Sequence, residues 1–196
     1  MAELIRLIED IKACKLCEAH LEHGVRPVVQ LNKTAKILIA GQAPGRKVHT
    51  SGIPFDDASG DRLRAWMGID KDTFYDDSKI AILPMGFCYP GSYKGKGKSG
   101  DLPPRPECAN TWHQNVLALL TQVELVLVIG QYAQDYYLDN NVTVTACVAE
   151  WEKHWPHYLP LPHPSPRNNI WLAKNTWFEA DILPVLQSRV ATLLTS

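Results

Sequence analysis

Three short, nearly unbroken apolar runs constrain the fold of this chain most: Ala35-Lys36-Ile37-Leu38-Ile39-Ala40, Ile80-Ala81-Ile82-Leu83 and Leu125-Val126-Leu127-Val128-Ile129. The first and third stop abruptly at Gly41 and Gly130. A strand with one wet face alternates apolar and polar residues, whereas a run apolar at successive positions has both faces covered, as at the centre of a parallel sheet. A fourth, weaker run, Tyr158-Leu159-Pro160-Leu161, leads into His163. Helical patterns lie between the runs. Residues 2–12 place Leu4, Ile5, Leu7, Ile8 and Ile11 on one face, and further candidates cover 60–67, 107–123, the QYAQDYYL segment after Gly130, and 177–194. Residues 18–33 have no period and read as an irregular connection. Strands alternating with helices predict a three-layer α/β/α fold around a four-stranded, mainly parallel sheet, with strands near 36–41, 80–86, 125–130 and 158–162.

The length of 196 residues fits one domain spanning 1–196. A hydrophobic fraction of 45% with 21% charged residues excludes a disordered tail, a coiled coil or a collagen-like repeat. Twenty Lys and Arg against 21 Asp and Glu give a net charge of −1, which argues against indiscriminate binding of nucleic acid by bulk charge. A local basic site stays open. No apolar stretch reaches the roughly 18–20 residues of a membrane span, and Met-Ala-Glu-Leu-Ile-Arg lacks the basic-then-apolar order of a secretory signal. The expectation is a cytoplasmic monomer without a membrane partner.

Five cysteines in such a compartment do not suggest a disulfide framework. Cys14 and Cys17 form a C-x-x-C pair that can grip one metal from a single turn. Two distant thiolates would complete a closed four-cysteine site. Spacing does not choose zinc from an iron–sulfur cluster, and buried thiols are the plain alternative.

In parallel sheets ligands collect at the carboxyl ends of the strands. That rim receives Gly41-Gln42-Ala43-Pro44-Gly45 and His163-Pro164-Ser165-Pro166-Arg167-Asn168. The first loop has neither the G-x-G-x-x-G spacing of a dinucleotide site nor the G-K-[ST] ending of a P-loop. In the second, prolines on both sides of Ser165 stiffen the backbone and hold His163 and Arg167 on an extended loop. YKGKGKSG, residues 93–100, reads as a flexible loop whose lysines can follow phosphates.

Together these motifs resemble the uracil-DNA glycosylase superfamily. GQAPG is similar to its first motif, of the form G-x-x-P-G or G-Q-D-P-Y, and HPSPRN to the HPSP motif of its single-strand-selective monofunctional branch. Ser51-Gly52-Ile53-Pro54-Phe55 resembles the segment that carries a base-stacking aromatic residue. Cys14, Cys17, Cys88 and Cys108 are arranged as in the thermostable iron–sulfur branch, with Cys147 outside the pattern. The likeness runs from Cys14 past HPSPRN.

The resemblance implies a monofunctional DNA-repair glycosylase that hydrolyses the N-glycosidic bond of uracil or a related deaminated base, with base-damaged DNA as partner. It implies a structural [4Fe–4S] cluster on the four cysteines, zinc being the alternative. His163 would be the catalytic residue, a neutral imidazole donating to uracil O2 as negative charge develops on the base. Phe55 would stack on the flipped base, with Gly41, Gln42, Ala43 and Ser165 completing the pocket. Arg46, Lys47, Lys94, Lys96, Lys98 and Arg167 would meet DNA, Arg167 where relatives insert a wedge. Two departures stand out. The first motif has Gln42 and Ala43, with no carboxylate, so water activation falls to Gln42 as a positioner or to His49, Asp56 or its neighbour Asp57. Pro84 occupies the place where the iron–sulfur branch has a base-reading asparagine. Both departures favour the alternative of a nucleic-acid or nucleobase-binding protein of the same fold that has lost hydrolysis. A metal-stabilised interaction module is the third reading.

Overall fold

The computed structural model describes residues 2–95, 97, 99–139 and 142–195. Four strands form one sheet: β1 (Ile37–Ala40), β2 (Ile80–Ile82), β3 (Leu125–Ile129) and β4 (Tyr158–Leu161). Their order is β2-β1-β3-β4 and every pairing is parallel. The chain steps from β1 outward to β2 and then crosses to the other side of β1 to lay down β3. That reversal makes a switch point where the loops on either side part and leave a crevice.

The strands are apolar throughout because alternate residues enter two different cores. Ile37, Ile39, Ile80, Ile82, Leu125, Leu127, Ile129, Leu159 and Leu161 pack on one side with Leu63, Trp66, Phe74, Phe178, Ile182, Leu186 and Val190. Leu38, Ala40, Ala81, Val126 and Val128 pack on the other with Leu4, Ile11, Phe87, Val116, Leu120 and Ala133. Helices cover both faces: α1 (Ala2–Ala13), α2 (Arg46–Ser51), α3 (Ala58–Met67), α4 (Lys71–Tyr75), α5 (Pro106–Cys108), α6 (Gln114–Leu119), α7 (Gln131–Leu138), α8 (Val144–Ala149), α9 (Asn169–Lys174) and α10 (Leu183–Thr195). A π-helical stretch, Ala109–His113, joins α5 to α6, and another, Phe178–Ile182, runs into α10. The expected three-layer α/β/α architecture is the one observed. Among the described residues no helix is long and apolar enough to cross a membrane.

Two details differ from expectation. The second strand ends at Ile82, not near residue 86, because Pro84 has no N–H to give to a ladder. Pairing resumes around it: Leu83 N–H donates to Ile39 O (3.0 Å), Met85 N–H to Gly41 O (2.8 Å) and Gly86 N–H to Gln42 O (2.9 Å). The first loop is therefore zipped to the segment after β2. The irregular connection over 18–33 also touches the sheet, where Gln30 and Ile82 exchange both backbone hydrogen bonds at 3.0 and 2.6 Å.

Candidate active site

A cleft of about 710 Å³ opens at the carboxyl ends of β1, β2 and β4. Gly41, Gln42, Ala43, Arg46 and Lys47 line it from the first loop, Phe55 and Asp57 from the next segment, Pro84 from beyond β2, and His163, Ser165 and Arg167 from the loop after β4. Residues more than a hundred positions apart thus share one wall.

His163 is held by its own loop. The backbone N–H of Ser165 donates to its Nδ1 at 3.1 Å, and Asn168 Nδ2 donates to its carbonyl at 2.8 Å. An Nδ1 that accepts has no proton, so the neutral ring carries its hydrogen on Nε2. Burial lowers the pKa of His163 and favours this neutral form, against the opposing pull of the Asp57 and Asp101 carboxylates. Arg62 fixes the loop from outside, donating from Nη1 to Ser165 O (3.1 Å) and from Nη2 to Asn169 Oδ1 (2.7 Å).

Phe55 has a backbone φ of 54°, in the left-handed region that a bulky residue seldom adopts. Its neighbours impose this conformation. A Cβ at Gly60 would lie 1.8 Å from the Phe55 carbonyl oxygen, so that close approach requires glycine. The ring tip reaches Gly41, where an added Cβ would be 3.5 Å away, and Phe74 supports the ring edge-on at 6.0 Å. Strain of this kind persists where the surroundings over-determine it, and it aims the ring along the cleft wall.

Of the two adjacent carboxylates expected, one, Asp57, lines the cleft. The wall includes Phe55 and Asp57 but not Asp56, and His49 does not line it. His49 Nε2 donates to His23 O at 3.0 Å, and its ring lies 6.0 Å from that of Tyr89. Asp57 caps α3, its Oδ1 accepting from the N–H groups of Ser59 (2.9 Å) and Gly60 (3.0 Å). The second carboxylate of the cleft, Asp101, has no counterpart in the sequence reading. It pairs with Ser92 in an antiparallel bridge flanked by Tyr93 N–H to Gly100 O (3.0 Å) and Leu102 N–H to Gly91 O (2.8 Å).

Pro84 lines the cleft where an amide side chain was missed, and its carbonyl accepts from Nε2 of His113 at 3.0 Å. His113 is fully buried, and that burial pushes its pKa down to about 4. It braces the cleft floor as a neutral ring.

Arg46, Lys47 and Arg167 are exposed at the cleft, with Arg167 Nη1 passing 3.2 Å from the place a Cβ would take at Gly100. Lys94 is instead paired with Glu22 at 2.6 Å, outside the cleft wall. Lys96 and Lys98 lie outside the described residues.

On the sheet face that carries α1, Cys14, Cys17, Cys88 and Cys108 line a single small cavity with Leu21, Phe87 and Arg105. Phe87 N–H donates to Cys108 Sγ at 3.4 Å. Burial pushes the thiols of Cys88 and Cys108 up to about 11 and about 12, so both keep their protons unless a cation replaces them. Among the described residues, no group of three or more His, Cys, Asp or Glu side chains is already drawn together around a single ion position. An all-sulfur donor set facing one cavity fits a thiolate-bound metal group. Cys147 is buried in α8, away from this set.

The solution NMR structure of a candidate uracil DNA glycosylase from Methanosarcina acetivorans superposes with a TM-score of 0.49 at 16% identity, covering 83% of this chain and 98% of that one. The family model for the uracil DNA glycosylase superfamily matches residues 28–187, a span that takes in the whole sheet and every segment of the cleft wall. By that match, the chain belongs to the uracil DNA glycosylase superfamily.

Proposed function

We propose that this protein is a monofunctional DNA glycosylase that hydrolyses the N-glycosidic bond of uracil or a related deaminated base in DNA. The observation that carries the reading is the tautomer of His163, whose Nδ1 accepts the Ser165 N–H so that Nε2 is the donor. As the bond to the base breaks, negative charge gathers on the departing ring, and a fixed neutral donor stabilises that charge without reorganising. Phe55 supplies a face for a base taken out of its stack. Arg46, Lys47 and Arg167 bring positive charge to the cleft mouth, where a DNA backbone would pass. The sugar is taken by water, so the enzyme forms no covalent link to it.

The four cysteines that share a cavity support a structural [4Fe–4S] cluster in this reading, with zinc as the competing occupant. Such a group ties the N-terminal segment to the sheet and takes no part in bond cleavage.

The test is excision from single- and double-stranded oligonucleotides carrying uracil, hypoxanthine or xanthine, with borohydride added to trap any amine-linked sugar. Base release without a trapped adduct is the expected result. Binding without release favours the second reading, a nucleobase-binding protein. The specific observation behind that reading is the first loop, where Gln42 and Ala43 bring no carboxylate to the cleft.

A further inference from the structure

We propose that Asp101, held at its bridge to Ser92, is the catalytic base that orients and deprotonates the attacking water, replacing the carboxylate absent from the first loop. This rests on the glycosylase reading above. Four observations carry it.

Asp101 lines the same cleft as His163. Its Oδ2 lies 3.8 Å from the position a Cβ would take at Gly45, and Asp57 Oδ2 lies 4.0 Å from that same point. Glycine at position 45 therefore keeps a small space open between the end of the first loop and two carboxylates. Asp101 is also held in one orientation: its Oδ1 accepts from Ser92 Oγ at 2.9 Å, with Tyr89 Oη 3.4 Å away behind it, leaving Oδ2 toward that space. Tyr89 and Ser92 are themselves joined at 2.6 Å. The two acids have different tasks. Asp57 accepts two N–H groups at the start of α3, whereas the ties of Asp101 are to side-chain hydroxyls and support no helix. Gln42 lines the cleft and can orient water, but its amide cannot take the proton.

The step balances as a hydrolysis. The water oxygen bonds to the sugar C1′ as the bond from C1′ to the base nitrogen breaks. The bonding pair leaves with the base, as an anion met by the Nε2–H of His163. The water proton passes to Asp101 and then to solvent. Tyr89 and Ser92 are positioning residues, because they act through Asp101.

The experiment compares wild type, Asp101→Asn, Asp101→Ala and Gln42→Ala in single-turnover excision, thermal melting and binding to abasic-site DNA. Asp101→Asn should slow excision by roughly 100-fold or more, with melting temperature and abasic-site affinity close to wild type. Asp101→Ala should regain rate when sodium formate is added, since a free carboxylate can occupy the vacated place. Gln42→Ala should lose less than Asp101→Asn. Wild-type excision with Asp101→Asn within threefold of it overturns this inference and leaves the glycosylase reading intact. A slow Asp101→Ala that formate does not rescue, with a lowered melting temperature, also overturns it by showing a bracing role. No excision by wild type on any substrate removes the glycosylase reading and this inference together.

Discussion

The backbone N–H of Ser165 points at Nδ1 of His163 from 3.1 Å, so the loop that carries the imidazole also decides which of its nitrogens bears the proton. Protonating Nδ1 turns that acceptor into a donor facing a donor. Burial already holds the pKa of His163 below its ordinary value. As pH falls, the unfolded chain takes up the proton before the folded one does. The stability of the neutral ring is therefore complete above the unfolded pKa of about 6.5 and is lost as pH falls towards the lower folded value. Single-turnover excision should stay level through about pH 6.5 and decline only below it. An acid limb centred above that point would contradict the assigned tautomer.

Removing the imidazole should cost rate selectively. His163→Ala is expected to slow excision by about 100–1000-fold, some 3–4 kcal/mol of transition-state stabilisation. Affinity for abasic-site DNA should change far less, because phosphate contacts provide most of it. Rate measurements paired with fluorescence-anisotropy titrations check this. Parallel losses of rate, affinity and melting temperature would mean that His163 only braces its loop.

His113 gives a separate acid-sensitive element beneath the cleft floor. Its folded pKa of about 4 lies roughly 2.5 units under the unfolded value, equivalent to about 3 kcal/mol. Since the folded value is the lower one, this contribution is present above about pH 6.5 and disappears as pH falls toward 4. Denaturant titrations near pH 7.5 and 4.5 should show wild type losing more stability than His113→Gln, whose amide can still donate to the Pro84 carbonyl. Equal losses in the two proteins would refute the assignment.

Gly60 should prove essential to the Phe55 geometry. A methyl group there meets the Phe55 carbonyl oxygen at 1.8 Å, so Gly60→Ala must displace a backbone already at positive φ. Destabilisation of about 1–3 kcal/mol is expected. Phe55→Ala should instead weaken retention of the flipped base by roughly 1–3 kcal/mol. Thermal melts and base-analogue binding separate the two outcomes.

Arg167, exposed beside Gly100, should act on phosphate. Arg167→Ala is expected to weaken binding evenly across sequences and to lower the slope of log K against log salt by about one. An unchanged salt slope would remove it from the DNA interface.

Much of the fold was legible because the strands are apolar at both parities. Ile37 and Ile39 go to one core and Leu38 and Ala40 to the other, and a chain that writes such runs has committed to two covered faces. Short helices such as α2, α4, α8 and α9 were not legible, since five or six residues carry too little period to read. In the cleft, His163 was visible from the prolines that stiffen its loop, whereas Phe55 and the first loop stood out only through the family resemblance. Asp56 and Asp57 are adjacent and alike; only the bonds to Ser59 and Gly60 identify the second as a helix cap in the cleft wall. Asp101 was illegible for a plainer reason. It is a single acid after a glycine-rich loop, and what gives it meaning is its approach to Gly45, 56 positions away.

The strand order has a consequence for when this chemistry first exists. Every sheet pairing is parallel, and β4, which presents His163, docks on β3 only after residues 158–161 have emerged. A nascent chain ending before that point can hold the first loop, Phe55 and Asp101 but not the imidazole. Parallel pairings close long loops and form late, so the half-built domain lacks the Nε2 donor. On the proposed glycosylase reading, turnover would gauge the fully assembled population, and a variant that frays β4 would lose activity while most of its core stays packed.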